Sequence, residues 1–210
     1  MNIILAFLLS YLLGSIPTAY IVGKMLKGID IRHHGSGNIG ATNTFRVLGK
    51  GPGIFVLSFD ILKGLLAVVA IGDFLGIQQL YLRIFLGLVA IIGHNWTVFL
   101  KFNGGKGIAT SLGVLIGLTV KIPAFGLVLG MTVGLWVIVF LASGFVSLAS
   151  ICAAVSLPIL SVLTGQLIEL VFLSVVCCLF IVLRHRKNIQ RLFSSQESRF
   201  DVWGRRPPKK

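Results

Sequence analysis

The chain has 210 residues, 56% of them hydrophobic and only 12% charged, with a mean hydropathy of +0.97. Soluble domains carry roughly a quarter of their residues as charges, so a water-soluble globule is excluded and lipid is the expected solvent. The formal charge is +13, from 19 Lys and Arg against 6 Asp and Glu. These bases sit between apolar runs, so they read as topology signals and anion ligands, and no nucleic-acid partner is expected.

Seven apolar stretches follow in chain order, near 3–23, 53–72, 79–100, 107–120, 122–142, 145–163 and 166–183. Each approaches the ~20 residues of a spanning helix, which predicts an all-α integral membrane protein with seven transmembrane helices. The fourth stretch is short. The opening run Ile3 to Val22 has no basic n-region and no small-residue cleavage site, so it is expected to remain as a span. Lys24, Lys27, Arg32, Arg46, Lys50, Lys63, Lys101, Lys106 and the nine bases from Arg184 to Lys210 fall on one side of such a chain. Only Arg83 and Lys121 fall on the other. Positive-inside bias then puts the C-terminus in the cytoplasm and the N-terminus outside. Residues 1–200 read as one domain, and 201–210, with Trp203 and the run RRPPKK, as a basic, disordered tail beside anionic lipid. Cys152, Cys177 and Cys178 lie inside apolar runs, and neither a disulfide nor a metal is expected.

Three polar motifs interrupt this pattern. The first is GSGNIGATNTFR, Gly35 to Arg46. Clustered glycines let successive N–H groups converge on an anion. Ser36, Asn38, Thr42 and Asn43 add neutral donors, and Arg46 a planar cationic fork. The alternative is a flexible loop with incidental glycines. A dinucleotide fingerprint is refused, because no βαβ unit surrounds GSGNIG.

The second motif is GHNWTVFLKFNGGKGIATSLG, Gly93 to Gly113. Gly104, Gly105, Lys106 and Gly107 set a lysine amid bare backbone at a helix start, where free N–H groups and the dipole favour anions. It is not a Walker A loop, since Gly107 stands where Ser or Thr is required. His94 reads either as a hydrogen-bonded helix-end histidine or as a catalytic one. Thr110 and Ser111 face the site or bond back to their own backbone.

The third motif is RHRKNIQRL, Arg184 to Leu192, in which His185, Asn188 and Arg191 share a helical face. A positive stop signal explains its bases but not His185 and Asn188. Asp60 and Lys63, at i and i+3 on the second span, are expected to form a structural ion pair. Ser147 and Ser150 serve an anion or packing, and Glu197 is expected to pair with a basic neighbour. No His has Asp five positions later, and neither a G-x-S-x-G elbow nor metal-ligand spacing occurs. No protein nucleophile is expected.

SGNIGATNTFR, GHNWTVFLKFNGGKGIAT and RHRKNIQRL, in that order, with LLGSIPTAY and FDILKG, resemble the bacterial acyl-phosphate:glycerol-3-phosphate acyltransferases, the PlsY family, over about residues 1–200. The resemblance implies seven spans in the bacterial inner membrane and a site on the cytoplasmic side. It implies transfer of a fatty acyl group from acyl phosphate to the sn-1 hydroxyl of glycerol-3-phosphate, giving lysophosphatidate. Its partners are those two substrates and membrane lipid, with no cofactor and no metal. On matching positions it puts Ser36 and Arg46 on substrate phosphate, and Lys106 with its flanking glycines on the acyl phosphate. Ser150, His185 and Asn188 complete the glycerol-3-phosphate pocket. Lys106, Arg46, His185 and Asn188 are the expected catalytic groups. The chain departs from the family at Thr97, usually Pro, and at Ser195, usually Gly.

An acyl phosphate is a mixed anhydride with a good leaving group, so direct attack without an acyl-enzyme is expected. A substrate phosphate oxygen is the expected base, with His185 or His94 as rivals. A transporter or flippase for a phosphorylated solute or lipid is the alternative function. A non-catalytic scaffold would leave the three motifs unexplained.

Overall fold

A computed structural model describes residues 2–200, so the basic tail lies outside the described residues. All regular structure among the described residues is helical, and the chain divides into two compact units, Met1–Gly126 and Leu127–Lys210.

In the first unit, α1 (Ile3–Ser15) and α2 (Thr18–Lys27) form one apolar run broken at Ile16–Pro17. Pro17 brings no N–H and drives the preceding residue out of the helical region, and Ile16 lies at φ −55°, ψ 113°. Two carbonyls near the break are taken by side chains. Thr97 Oγ1 donates to the Ser15 carbonyl at 2.6 Å, and Lys63 Nζ to that of Ile16 at 3.1 Å. Broken backbone among apolar helices needs such partners.

The short α3 (Ala41–Leu48) leads into α4 (Lys50–Leu66), which continues through a π-helical turn (Ala67–Ile71) and a last turn (Gly72–Phe74). Next come α5 (Leu80–Asn95) and α6 (Ile108–Lys121). Gly14 of α1 lies against the Ala90 carbonyl of α5, and Gly64 of α4 against the Thr110 carbonyl of α6. Helices approach this closely only through small residues. The buried Arg83 donates to the Val68 carbonyl at 2.9 Å and to Asp73 at 2.6 Å, and Lys121 reaches the same carboxylate at 2.8 Å. Both bases left for the sparsely charged side therefore share one carboxylate.

The second unit contains α7 (Gly126–Ser143), α8 (Val146–Leu163), α9 (Ile168–Arg184) and α10 (Arg186–Phe193). Buried Ser161 and Ser174 meet at 2.9 Å between α8 and α9. The chain bends by 59° between α9 and α10.

Among the described residues five helices are long and apolar enough to cross a membrane: Ile3–Lys27, Lys50–Phe74, Leu80–Leu100, Pro123–Ser143 and Val146–Leu163. The bent pair α9–α10 makes a sixth, and α6 is apolar but shorter. With 14 residues, α6 rises about 21 Å against a hydrocarbon core of about 30 Å. The seven apolar stretches of the sequence coincide with these seven segments, in a multi-pass membrane protein.

Candidate active site

In the first unit the glycine-rich loop before α3 is built around Asn43. Its fully buried amide accepts from the Ser36 N–H at 2.8 Å and donates to the carbonyls of His34 and Ile31 at 3.0 and 3.3 Å. Gly35, at φ +60°, turns directly over the Asn43 side chain, where a Cβ would collide with the amide oxygen. This fold-back presents Ser36 at the surface and leaves Asn38 half-buried. Arg46 is exposed on the last turn of α3. Arg32 is committed elsewhere, hydrogen-bonded to Asp30 and lying 5.3 Å over the Tyr20 ring. The Arg32 guanidinium holds the Asp30 carboxyl well below the usual carboxylate range.

The Gly104–Gly107 segment is a strap laid across the end of α5. Gly105 N–H donates to the His94 carbonyl at 3.0 Å and Gly104 N–H to the Asn95 carbonyl at 3.1 Å. Gly105 is pressed between the His94 imidazole and the Ile39 carbonyl, where a Cβ would stand 2.7 Å from the carbonyl oxygen. The first and second motifs therefore touch, backbone to backbone. Gly107, at φ +79°, caps α6 in a conformation that favours glycine, and Lys106 precedes it, half-buried. Thr110 and Ser111, on the first turn of α6, are buried, and neither hydroxyl has a hydrogen-bond partner, its own backbone included.

Beneath the strap lies a buried ionic group. Asp60 and Lys63 pair at 2.8 Å, Thr18 Oγ1 donates to Asp60 at 3.3 Å, and His94 Nδ1 stands 3.8 Å from the same carboxylate. Together with Thr97, Gly104 and Gly105 they line a polar cavity of about 10 Å³, room for roughly one water.

The second unit has its own polar cluster, organised by Glu197. One carboxylate oxygen accepts from Asn188 Nδ2 at 2.6 Å and from Ser147 Oγ at 2.8 Å, and the other from Arg191 Nε at 2.7 Å. Burial alone would raise the Glu197 carboxyl pKa. The hydrogen bonds from Arg191, Asn188 and Ser147 outweigh it and hold the group below its ordinary value. His185, buried at the bend between α9 and α10, has Nδ1 2.8 Å from the Ile181 carbonyl. A carbonyl only accepts, so Nδ1 carries a proton. Ser150 Oγ donates to the Val146 carbonyl at 2.8 Å and accepts from Trp136 Nε1 at 3.2 Å.

A family model described as glycerol-3-phosphate acyltransferase matches residues 4–195. A glycerol-3-phosphate acyltransferase of Desulforudis audaxviator is 46% identical over 198 residues, covering 94% of this chain and 96% of that protein. One of Trichormus variabilis is 43% identical, covering 90% of this chain and 87% of its own. A crystal structure of PlsY, an integral membrane glycerol 3-phosphate acyltransferase in its glycerol 3-phosphate form, superposes with a TM-score of 0.85. It is 37% identical and covers 95% of this chain and 96% of its own. The chain belongs to the glycerol-3-phosphate acyltransferase family.

As an acyltransferase of this family, the protein carries its expected site residues in two groups. The first unit carries Ser36 and Asn38 on the loop before α3, Asn43 and Arg46 on α3 itself, His94 at the end of α5, Gly104, Gly105, Lys106 and Gly107 on the strap, and Thr110 on the first turn of α6. The second unit gathers Ser150, His185 and Asn188 on α8 and around the α9–α10 bend. Asn43 has both ends of its amide bonded within its own loop, so it shapes the loop that presents Ser36. Sequence reasoning passed over Asn95 and Trp136 and left the Glu197 partner open. The spacing of Asn188 and Arg191 was the available signal for that carboxylate, whereas nothing in the chain pointed to Asn95 or Trp136. Both departures from the family pattern have backbones suited to the usual residue. Thr97 sits at φ −69°, ψ 128°, a proline conformation, and Ser195 sits at φ +57°, where glycine is at ease.

Proposed function

We propose that this acyltransferase moves a fatty acyl group from acyl phosphate to the sn-1 hydroxyl of glycerol-3-phosphate, yielding 1-acyl-glycerol-3-phosphate and inorganic phosphate. The carrying observation is the contact of the two glycine motifs at Gly105 and Ile39. It puts the loop bearing Ser36 and the strap bearing Lys106, with the start of α6, in one piece of backbone built for anions. In this reading the free N–H groups of α6 and Lys106 hold the acyl-phosphate group. Ser36 and Arg46 bind substrate phosphate, Arg46 and Lys106 relieve the repulsion between two anions, and Ser150, His185 and Asn188 serve glycerol-3-phosphate.

The glycerol hydroxyl oxygen attacks the acyl carbonyl carbon, the bond from that carbon to the bridging oxygen breaks, and phosphate leaves with the hydroxyl proton on one of its oxygens. No covalent acyl-enzyme forms. Positioning supplies much of the acceleration, roughly 7–11 kcal/mol in the best cases. An apolar cavity of about 450 Å³ between α2 and α4, walled by Ile21, Met25, Phe55 and Phe59, shares Ile16 and Thr18 with the small polar cavity. It suits the acyl chain of a lipidic donor. The seven segments cross the bacterial inner membrane with the C-terminus and the site on the cytoplasmic side, a reading supported by the bias of 17 of the 19 bases to one side.

Purified protein in detergent, given acyl phosphate and glycerol-3-phosphate, is expected to release lysophosphatidate and phosphate in equal amounts. Absence of product without a membrane barrier would favour a transporter. The base is assigned by kcat against pH for His94→Gln and His185→Gln. If either variant loses the rise of kcat with pH shown by the parent, that histidine takes the proton and the substrate does not.

A further inference from the structure

Six buried side-chain polar atoms among the described residues have no hydrogen-bond partner, and four of them belong to Asn95, Thr110 and Ser111. Asn95 contributes both ends of its amide, on the last residue of α5 and with no exposure to solvent. A buried polar group without a partner is costly, so such a concentration at one place needs a reason.

The four atoms belong to the junction of α5 with the start of α6. A Cβ on Gly107 would stand 2.8 Å from Asn95 Oδ1 and 3.3 Å from Nδ2, so the amide lies along the Gly107 face of α6. Ser111, four residues on, shares that face, and its N–H donates to the Gly107 carbonyl at 2.7 Å. Thr110, three residues on, borders it. Side chains at such spacings lie about 5–6 Å apart and lean toward the helix start. One amide and two hydroxyls, all buried and uncharged, are thus concentrated where the end of α5 meets the start of α6. The Asn95 main chain is already bonded to the strap through Gly104.

We propose that Asn95 is a positioning residue for the acyl-phosphate donor. Its carboxamide, with the Ser111 and Thr110 hydroxyls, sets where the Gly107 peptide and the first N–H groups of α6 stand, and these hydrogen bonds form as the strap closes on the donor phosphate. This inference rests on the reading of the strap as the acyl-phosphate cradle. Asn95 itself does not touch substrate: it acts through the backbone that does. Gly107 is glycine because the amide occupies the space a side chain would take, as well as for its backbone angle.

The test uses the full chain purified in detergent, with Asn95→Leu as the first variant. Leu is close in size and leaves no polar atom behind, so thermal stability is expected to hold or rise. KM for acyl phosphate is expected to rise about 10-fold or more, as for a small misplacement of a reactant, while KM for glycerol-3-phosphate stays at the parent value. An unchanged donor KM overturns the proposal, as does an equal rise of both KM values with a fall in thermal stability, which marks simple packing. Asn95→Asp keeps the shape and serves if the Leu variant does not fold. Its donor KM is expected to climb with pH as the carboxyl ionises, and a profile parallel to the parent overturns the proposal. Product formation by the parent protein in the same assay separates the two claims. A parent that makes no lysophosphatidate sinks the cradle reading, whereas an active parent with unaffected Asn95 variants sinks only the role of Asn95.

Discussion

The strap of the first unit and the Glu197 cluster of the second solve the same problem in opposite ways. The strap is defined by missing side chains: Gly104, Gly105 and Gly107 sit where any Cβ would strike His94, Asn95 or Ile39, and the polar atoms behind it are unbonded. The Glu197 cluster is defined by saturation, with three donors converging on one buried carboxylate. Bare backbone with bonding capacity in reserve suits a ligand that arrives and leaves. A saturated carboxylate suits side chains that must stay in one orientation.

The largest effect is expected beneath the strap. Asp60→Asn leaves Lys63 as a buried cation without its counter-charge, and a loss of about 3–5 kcal/mol follows. Thermal unfolding in detergent measures it. Asp60→Asn combined with Lys63→Met should recover most of the loss, and a double variant as unstable as the single one would mean that the pair is not the cause.

Gly105→Ala comes next. The added methyl must displace the strap from His94 and Ile39, and kcat/KM for acyl phosphate should fall about 100-fold. Wild-type kinetics would show that the strap yields freely and that its tightness is not functional.

Glu197→Gln keeps the shape of the saturated cluster but removes its charge, with an expected cost of about 1–2 kcal/mol. Here pH sharpens the comparison. Glu197 has a lowered pKa in the folded protein, so the unfolded chain takes up the proton first as pH falls. The stability it contributes is complete above its ordinary value of 4.5 and disappears as pH drops through the lower folded value. The stability gap between the parent and Glu197→Gln should therefore close in acid, while Gly105→Ala shows no such closure.

The smallest effect is expected at Ser195. Its left-handed backbone disfavours a side chain, so Ser195→Gly should gain about 1 kcal/mol by calorimetry and leave the cluster intact.

The legibility of these regions in the sequence follows the same division. Apolar stretches and bare glycines are composition, and composition is local, so the seven segments and the strap could be read directly. Lys106 and the start of α6 came with them. Bonding direction is not local. Asn38 and Asn43 look alike as letters, yet Asn43 turns inward and ties three parts of its loop together. Asn95 sits inside a motif that was recognised whole, but its unbonded state depends on how α5 meets α6, a fact of packing. The Glu197 partners needed the turn at Ser195, and the chain conceals that turn by carrying serine in a glycine conformation. The reverse holds at Thr97, where a threonine in a proline conformation adds a hydroxyl bond to Ser15.

That bond leads back to the interruption at Ile16–Pro17. Were residue 17 an ordinary helix former, the two halves could fuse into a straight rod and reclaim the Ser15 and Ile16 carbonyls for their own ladder. Lys63 would then keep only Asp60, and Thr97 would lose its bond to Ser15. A single ring-closed amino acid at the break between α1 and α2 thus keeps two carbonyls open for side chains encoded tens of residues away.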